Sequence, residues 1–179
     1  LNNTDLFIVD INNGFAKGGA LYSPRIESLI NPIVNFTKSV SKDIRSIIAF
    51  TDYHTNESVE LLNYPTHCIK DTIECEIVDE LKSIVKKNST NGFFALDSLN
   101  FDDTDNIIIV GDCTDICIYQ LAITLKSYFN QNNINKDIIV PINLVDTYNI
   151  DNVHPAELLN IVFLNSMIQN GIKVVKEIK

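Results

Sequence analysis

The stretch Ile107-Ile108-Ile109-Val110-Gly111-Asp112-Cys113-Thr114-Asp115-Ile116-Cys117 decides how this chain folds. Its β-branched apolar run reads as a strand buried on both faces, and such strands belong to parallel sheets covered by helices. The run breaks at Gly111 and is expected to restart as a helix, with Thr114 capping the orphan amides and Cys117 in the first turn. A thiol there feels the positive end of the helix dipole, which can lower a cysteine pKa from ~8.5 towards ~3.5 to 7.5. Cys117 is therefore the first candidate nucleophile. Asp115 opposes this, because a carboxylate two residues away raises the thiol pKa unless it points elsewhere.

Working outward, the same alternation of apolar runs and helical spacing recurs. Leu6 to Val9 reads as a buried strand ending at Asp10, followed by the turn signals Asn12-Asn13-Gly14 and Gly18-Gly19. Helical spacing from Pro24 to about Val40 leads to a second strand over Ile44 to Phe50, ending at Asp52, so the unit is βαβ. Thr51 to Thr72 is polar and aperiodic, a length of loop that in a compact domain usually serves function. A helix from about Glu74 to Ser83 and the short apolar piece Ile84-Val85 follow. Then come the strand Ile107 to Val110, a helix to about Phe129, a strand over Ile138 to Val145, a helix from Pro155 and a strand over Ile172 to Val175. Without an internal repeat or linker, residues 1–179 read as one α/β domain with a mostly parallel sheet.

Composition bounds the function. The chain has 179 residues, 45% of them apolar, and a formal net charge of -9. That negative field repels nucleic acid and anionic membranes, so a small molecule is the expected partner. No apolar stretch reaches the ~18 to 20 residues that span a bilayer, and the beginning of the sequence lacks a basic segment followed by an apolar one. The expectation is a soluble, cytoplasmic protein. Four cysteines, Cys68, Cys75, Cys113 and Cys117, are too few for a disulfide scaffold and are read as thiols. Cys113 and Cys117 could alternatively form a redox or metal-binding pair, although three residues separate them where the known redox spacing has two.

In open parallel sheets ligands bind beyond the carboxyl ends of the strands. The polar residues at those ends are Asp10, Asp52 with His54, Lys87, and the turn to Cys117. A carboxylate able to accept the thiol proton and a lysine able to hold the thiolate suit acyl transfer, with the amides of Cys113 and Cys117 as an oxyanion hole. Taken singly, each residue has a plainer reading: a turn-capping aspartate, a solvated lysine, a core cysteine. Asp52, His54, Glu60 and His67 supply two carboxylates and two imidazoles on one loop, a set suited to Zn, Fe or Mn, against the plainer reading of a hydrogen-bonded loop. His154, beside Pro155, has no evident partner and reads as surface or a helix-start hydrogen bond.

At these residues the sequence resembles the isochorismatase-like cysteine hydrolases, and within them the nicotinamidases. Phe7-Ile8-Val9-Asp10 through Phe15, with Gly18-Gly19, is similar to the family's first strand, whose aspartate is the general base. Asp52-Tyr53-His54 is similar to the metal-binding Asp-x-His, and Tyr64-Pro65-Thr66-His67-Cys68 to the segment supplying a further ligand. Lys87 through Phe93 resembles the lysine segment, with Asn91 and Gly92 in place of Ser and Ala. Gly111 through Cys117 resembles the nucleophile turn, for which a cis peptide is implied at Asp112–Cys113. Gly14 and Thr66 depart from the usual residues, as does Asp71 before Thr72.

The resemblance implies a three-layer α/β/α fold with a doubly wound, mostly parallel sheet. It implies Asp10, Lys87 and Cys117 as catalytic residues, and a divalent transition metal, with Zn first and Fe or Mn as alternatives, on Asp52, His54, Glu60 and His67. Phe15 and Tyr64 would line the ring pocket. The implied reaction is hydrolysis of nicotinamide to nicotinate and ammonia through a thioester, with homo-oligomers common among relatives. Other small amides or carbamoyl compounds are the alternative substrates, and a redox or metal-binding role for Cys113 and Cys117 is the alternative of another class.

Overall fold

The computed structural model describes residues 1–78, 81, 84–96 and 101–178. Seven parallel-paired strands form one sheet: β1 Thr4–Val9, β2 Ser46–Asp52, β3 Ile84–Lys87, β4 Asn106–Asp112, β5 Asp137–Pro141, β6 Val145–Asp146 and β7 Lys173–Val175. Their order is β3-β2-β1-β4-β5-β7, with β6 pairing the far end of β4. The chain leaves β1 in one direction and β4 in the other, so the switch point lies between them.

Alternation along β4 sends Ile107 and Ile109 into one core and Ile108 and Val110 into the other. The first core contains Leu121, Leu125 and Phe129 of helix α4 (Tyr119–Gln131) together with Leu164 and Met167 of helix α5 (Ala156–Gln169). The second contains Ile33, Val34 and Val40 of helix α3 (Ile30–Val40). This is the expected three-layer arrangement, with a sheet apolar on both faces because both are covered. Two shorter helices precede α3: α1 (Asn13–Ala16), whose Asn12 side chain accepts from Phe15 N–H, and α2 (Pro24–Glu27).

Four elements differ from the sequence expectation. The helix expected over Pro24 to Val40 is two helices, broken at Ser28-Leu29. Pro32 has no N–H to give the Ser28 carbonyl and fits only within the first turn, where α3 begins. The helix expected from Glu74 is a single 3-10 turn, Ile73–Cys75. Beyond it the backbone pairs with the segment after β1, through Asn13 N–H to Glu76 O (2.9 Å) and Val78 N–H to Ile11 O (3.2 Å). Residues 79, 80, 82 and 83 of that expectation lie outside the described residues. The strand expected over Ile138 to Val145 is interrupted by a 3-10 turn at Ile142–Leu144. Finally, Thr114 does not cap: it begins a π-helical turn (Thr114–Ile118), its N-cap position is Cys113, and its buried hydroxyl makes no hydrogen bond.

Candidate active site

The carboxyl ends of β1, β2, β3 and β4 converge on one buried cluster. Asp10 follows β1 with φ 57°, its N–H bonded to Phe50 O at 3.0 Å. Asp52 and Lys87 close β2 and β3 in direct register. At the end of β4, Gly111 has φ 118°, and a Cβ there would stand 2.0 Å from the Val9 carbonyl oxygen, so only glycine lets β4 turn this close to β1.

Lys87 is the hub. Its Nζ lies 2.9 Å from Asp10 Oδ2 and 3.9 Å from Cys117 Sγ, and it also donates to Asp52 Oδ1. Asp10 is 0%, Lys87 1% and Cys117 7% exposed, so these groups act on one another with little solvent screening. The structure thus gathers the three residues expected to be catalytic, from segments more than a hundred residues apart.

The electrostatics correct one expectation. Burial, with smaller contributions from Asp10 and Asp52, pushes the Cys117 thiol well up despite the Lys87 charge. The helix start therefore does not leave a resting thiolate. Burial and then the Asp52 charge raise Asp10 to about 7, against the opposing pull of Lys87. A carboxylate poised near neutrality beside a protonated thiol is a matched base and acid. Burial disfavours the Lys87 ammonium, but Asp10 and Asp52 outweigh it and keep the charge. Asp115 points away from the thiol, accepting from the Thr147 hydroxyl at 2.6 Å and contacting His154 Nε2 at 2.8 Å.

A second cluster adjoins the first through Asp52. One ligand atom each from Asp52, His54 and His67 lies within 4.8 Å of the others. His67 Nδ1 donates to the Pro65 carbonyl at 2.7 Å, and His54 Nδ1 lies 3.3 Å from Asn88 Oδ1. With Nδ1 turned outward in this way, both Nε2 lone pairs face Asp52 Oδ2, at 3.7 Å for His54 and 3.5 Å for His67. His54 Nε2 is buried without a hydrogen-bond partner. Three converging electron-pair donors, oriented by outer hydrogen bonds, fit a divalent transition metal. Burial alone would raise Asp52, but the Lys87 ammonium, with smaller contributions from the two neighbouring imidazoles, holds it below the usual carboxylate range, as a ligand requires.

Glu60 stands outside this cluster, its carboxylate accepting from Thr90 N–H at 2.9 and 3.1 Å. The segment carrying His67 is fixed to the one carrying His54 by a parallel bridge, with His54 N–H to Cys68 O at 3.0 Å and Lys70 N–H to His54 O at 2.8 Å.

The cavity over both clusters measures about 430 Å³, within the range for small-ligand sites. Phe15 and Tyr64 line it, their rings 5.6 and 6.3 Å from that of His67. Asp10, Asp52, Cys113 and Cys117 lie on the same cavity, and the Asp112–Cys113 peptide is cis.

The sequence reading missed a further part of the wall, made by Tyr148, Asn149 and Ile150. His154 fastens it: Nδ1 meets the Tyr148 carbonyl at 2.9 Å, the ring stacks on Tyr148 at 3.8 Å, and Nε2 reaches Asp115. The sequence signal was an aspartate within the nucleophile turn and a lone histidine, which only the fold brings together.

The sequence model of the Isochorismatase domain matches residues 4–165. The chain is 26% identical to nicotinamidase 1 of Arabidopsis thaliana over 97% of this chain and 85% of that protein. Among solved structures it is similar to the yeast nicotinamidase, with TM-score 0.80 and 18% identity over 97% of this chain and 100% of that one. N-carbamoylsarcosine amidase from Thermoplasma acidophilum gives a TM-score of 0.79 at 22% identity, covering 99% of each chain. The pyrazinamidase of Pyrococcus horikoshii in complex with zinc gives 0.76 at 19% identity, covering 98% of this chain and 99% of that one. At these identities the structural likenesses establish the fold. No helix among the described residues is long and apolar enough to cross a membrane.

Proposed function

The chain belongs to the isochorismatase family and, with a nicotinamidase as its relative, is a hydrolase of amide bonds; we propose that its substrate is nicotinamide, cleaved to nicotinate and ammonia by Asp10, Lys87 and Cys117. The observation that carries this reading is the buried ammonium of Lys87, 2.9 Å from Asp10 and 3.9 Å from Cys117. The aromatic cavity walls and the name of the Arabidopsis relative support the choice of nicotinamide.

In the proposed reaction Asp10 takes the Cys117 proton as the sulfur bonds to the carboxamide carbon, and the carbonyl electron pair moves onto oxygen. The Cys113 and Cys117 amides, at the start of a helix whose first N–H groups lack intrahelical acceptors, receive that oxygen. The oxyanion collapses, the C–N bond breaks, and the Asp10 proton leaves on ammonia. Asp10 then takes a proton from water, whose oxygen attacks the thioester. Collapse breaks the C–S bond, and the proton returns to sulfur. Lys87 holds the negative charge shared by Asp10 and Cys117 throughout.

Asp52, His54 and His67 would hold a divalent metal, with zinc first because a similar pyrazinamidase was solved with it. Bound there, the metal supplies a Lewis-acid contact that orients the pyridine ring. Glu60 accepts from the N–H of Thr90, which lines the cavity. The test is ammonia release from nicotinamide by the parent protein and by Cys117→Ala, each before and after chelation. Turnover by the parent, lost in the variant, is expected; undiminished release by Cys117→Ala overturns the assignment.

A further inference from the structure

One buried carboxyl on the cavity has no part in the chemistry described above. Asp112 closes β4, is 1% exposed and lines the cavity beside Asp10 and Cys117. Both its oxygens are buried without a hydrogen-bond partner. The neighbouring carboxylates are differently placed. Asp52 has Lys87 and two imidazoles, and Asp146, beside Asp112 in the sheet, has Arg25 at 2.8 Å and Asn160 at 2.8 Å. A buried polar group left unpaired is unfavourable, and one that lines a cavity is open to a partner that enters the cavity, water or ligand.

The register identifies that ligand's chemistry. Val9 pairs with Gly111, so Asp10 and Asp112 are the next residues on adjacent strands, both on the cavity that holds the nucleophile. A primary carboxamide presents two N–H bonds that diverge from one nitrogen. Burial, followed by the charges of Asp10 and Asp52, pushes the Asp112 carboxyl well up, which favours its neutral form and leaves a carbonyl oxygen free to accept.

We infer that Asp112 is a substrate-contacting residue, its carboxyl receiving one N–H of the scissile primary carboxamide while Asp10 faces the other. The inference rests on the amide-hydrolase reading above and adds a specificity: the pocket selects an unsubstituted amide nitrogen. A methyl group on that nitrogen would take the place of the N–H that Asp112 receives.

The test compares the parent with Asp112→Ser, Asp112→Leu and Asp112→Asn. Each is assayed on nicotinamide and on nicotinamide methylated at the carboxamide nitrogen, with thermal melting alongside. Loss of one hydrogen bond predicts a fall in kcat/KM of about tenfold for the Ser and Leu variants. The preference for the unmethylated amide narrows by a similar factor, and melting is unchanged or raised. Asn keeps an acceptor oxygen at the reach of the carboxyl, which the shorter Ser hydroxyl does not, and stays within about threefold of the parent. Ser and Leu differ in bulk, so a shared loss rescued by Asn excludes a packing effect, and either folded variant decides the matter. Parent-like kcat/KM and selectivity in Ser or Leu would overturn the inference. If the parent did not hydrolyse nicotinamide, the substrate reading would fall by itself. The same comparison on a primary amide that the parent does hydrolyse would then judge Asp112 separately.

Discussion

Replacing Lys87 with Met removes the charge that the site is built around while keeping most of the side-chain volume. At 2.9 Å, and with an effective dielectric of about 20, the attraction between Lys87 and Asp10 is about 6 kcal/mol. Relaxation and the competing claim of Asp52 reduce this, yet a quarter of it moves a titration by ~1 pH unit. Lys87 lowers the Asp10 pKa from where burial and Asp52 would set it, so its loss moves that pKa upward from about 7. Asp10 must be deprotonated to accept the thiol proton. The rising limb of kcat/KM against pH is therefore expected near pH 7 in the parent and at least ~1 unit higher in Lys87→Met. The variant also leaves Asp52 buried without its ammonium. Breaking such a pair is typically worth 3–5 kcal/mol, or roughly 10 °C in melting temperature at this chain length. The assay is ammonia release between pH 5 and 9 (roughly, to bracket the titration), with melting followed in parallel. A rising limb at the parent's pH, with unchanged melting, would refute the placement of Lys87 as the hub.

Cys113→Ala, which keeps the backbone amide, should retain ammonia release within about threefold, because its proposed role lies in the main chain; loss equal to that of Cys117→Ala would reopen the two-thiol alternative. His54→Ala should lower bound zinc per chain, read by elemental analysis, by more than tenfold with the fold intact, since a three-ligand set loses one donor. His154→Ala leaves the part-buried Asp115 with Thr147 as its remaining partner and frees the Tyr148 wall, so KM should rise several-fold with kcat within about twofold, and melting should fall by the few degrees that about 1–3 kcal/mol implies. At the opposite end of β1, Asp5 accepts from Arg45, Ser46 and Thr104. Asp5→Ala should lower melting while leaving kcat/KM on nicotinamide unchanged.

Much of the molecule was legible because its signals are local. A run such as Ile107 to Val110 is apolar whichever way it turns, so burial on both faces, and hence a parallel sheet, can be read from the residues alone. The turn carrying Cys117, the Asp52-x-His54 pair and Lys87 at a strand end were identified for the same reason. Where the expectation failed, a nonlocal or overlooked constraint acted. Pro32 broke the helix that spacing had drawn through Ser28, and pairing with Asn13 and Ile11 drew Glu76 to Val78 out of the helix expected from Glu74.

The sequence by itself determined which side chains stand at the carboxyl ends of the strands, because strand period and turn chemistry are properties of neighbouring residues. Only the tertiary structure decided what those side chains experience. It placed Lys87 between two carboxylates, raised the Cys117 thiol that the helix start was expected to depress, joined His154 to Asp115 and left Asp112 unpartnered on the cavity. Charge, burial and hydrogen bonding depend on distances between residues far apart in the chain, and those distances exist only once the sheet has closed.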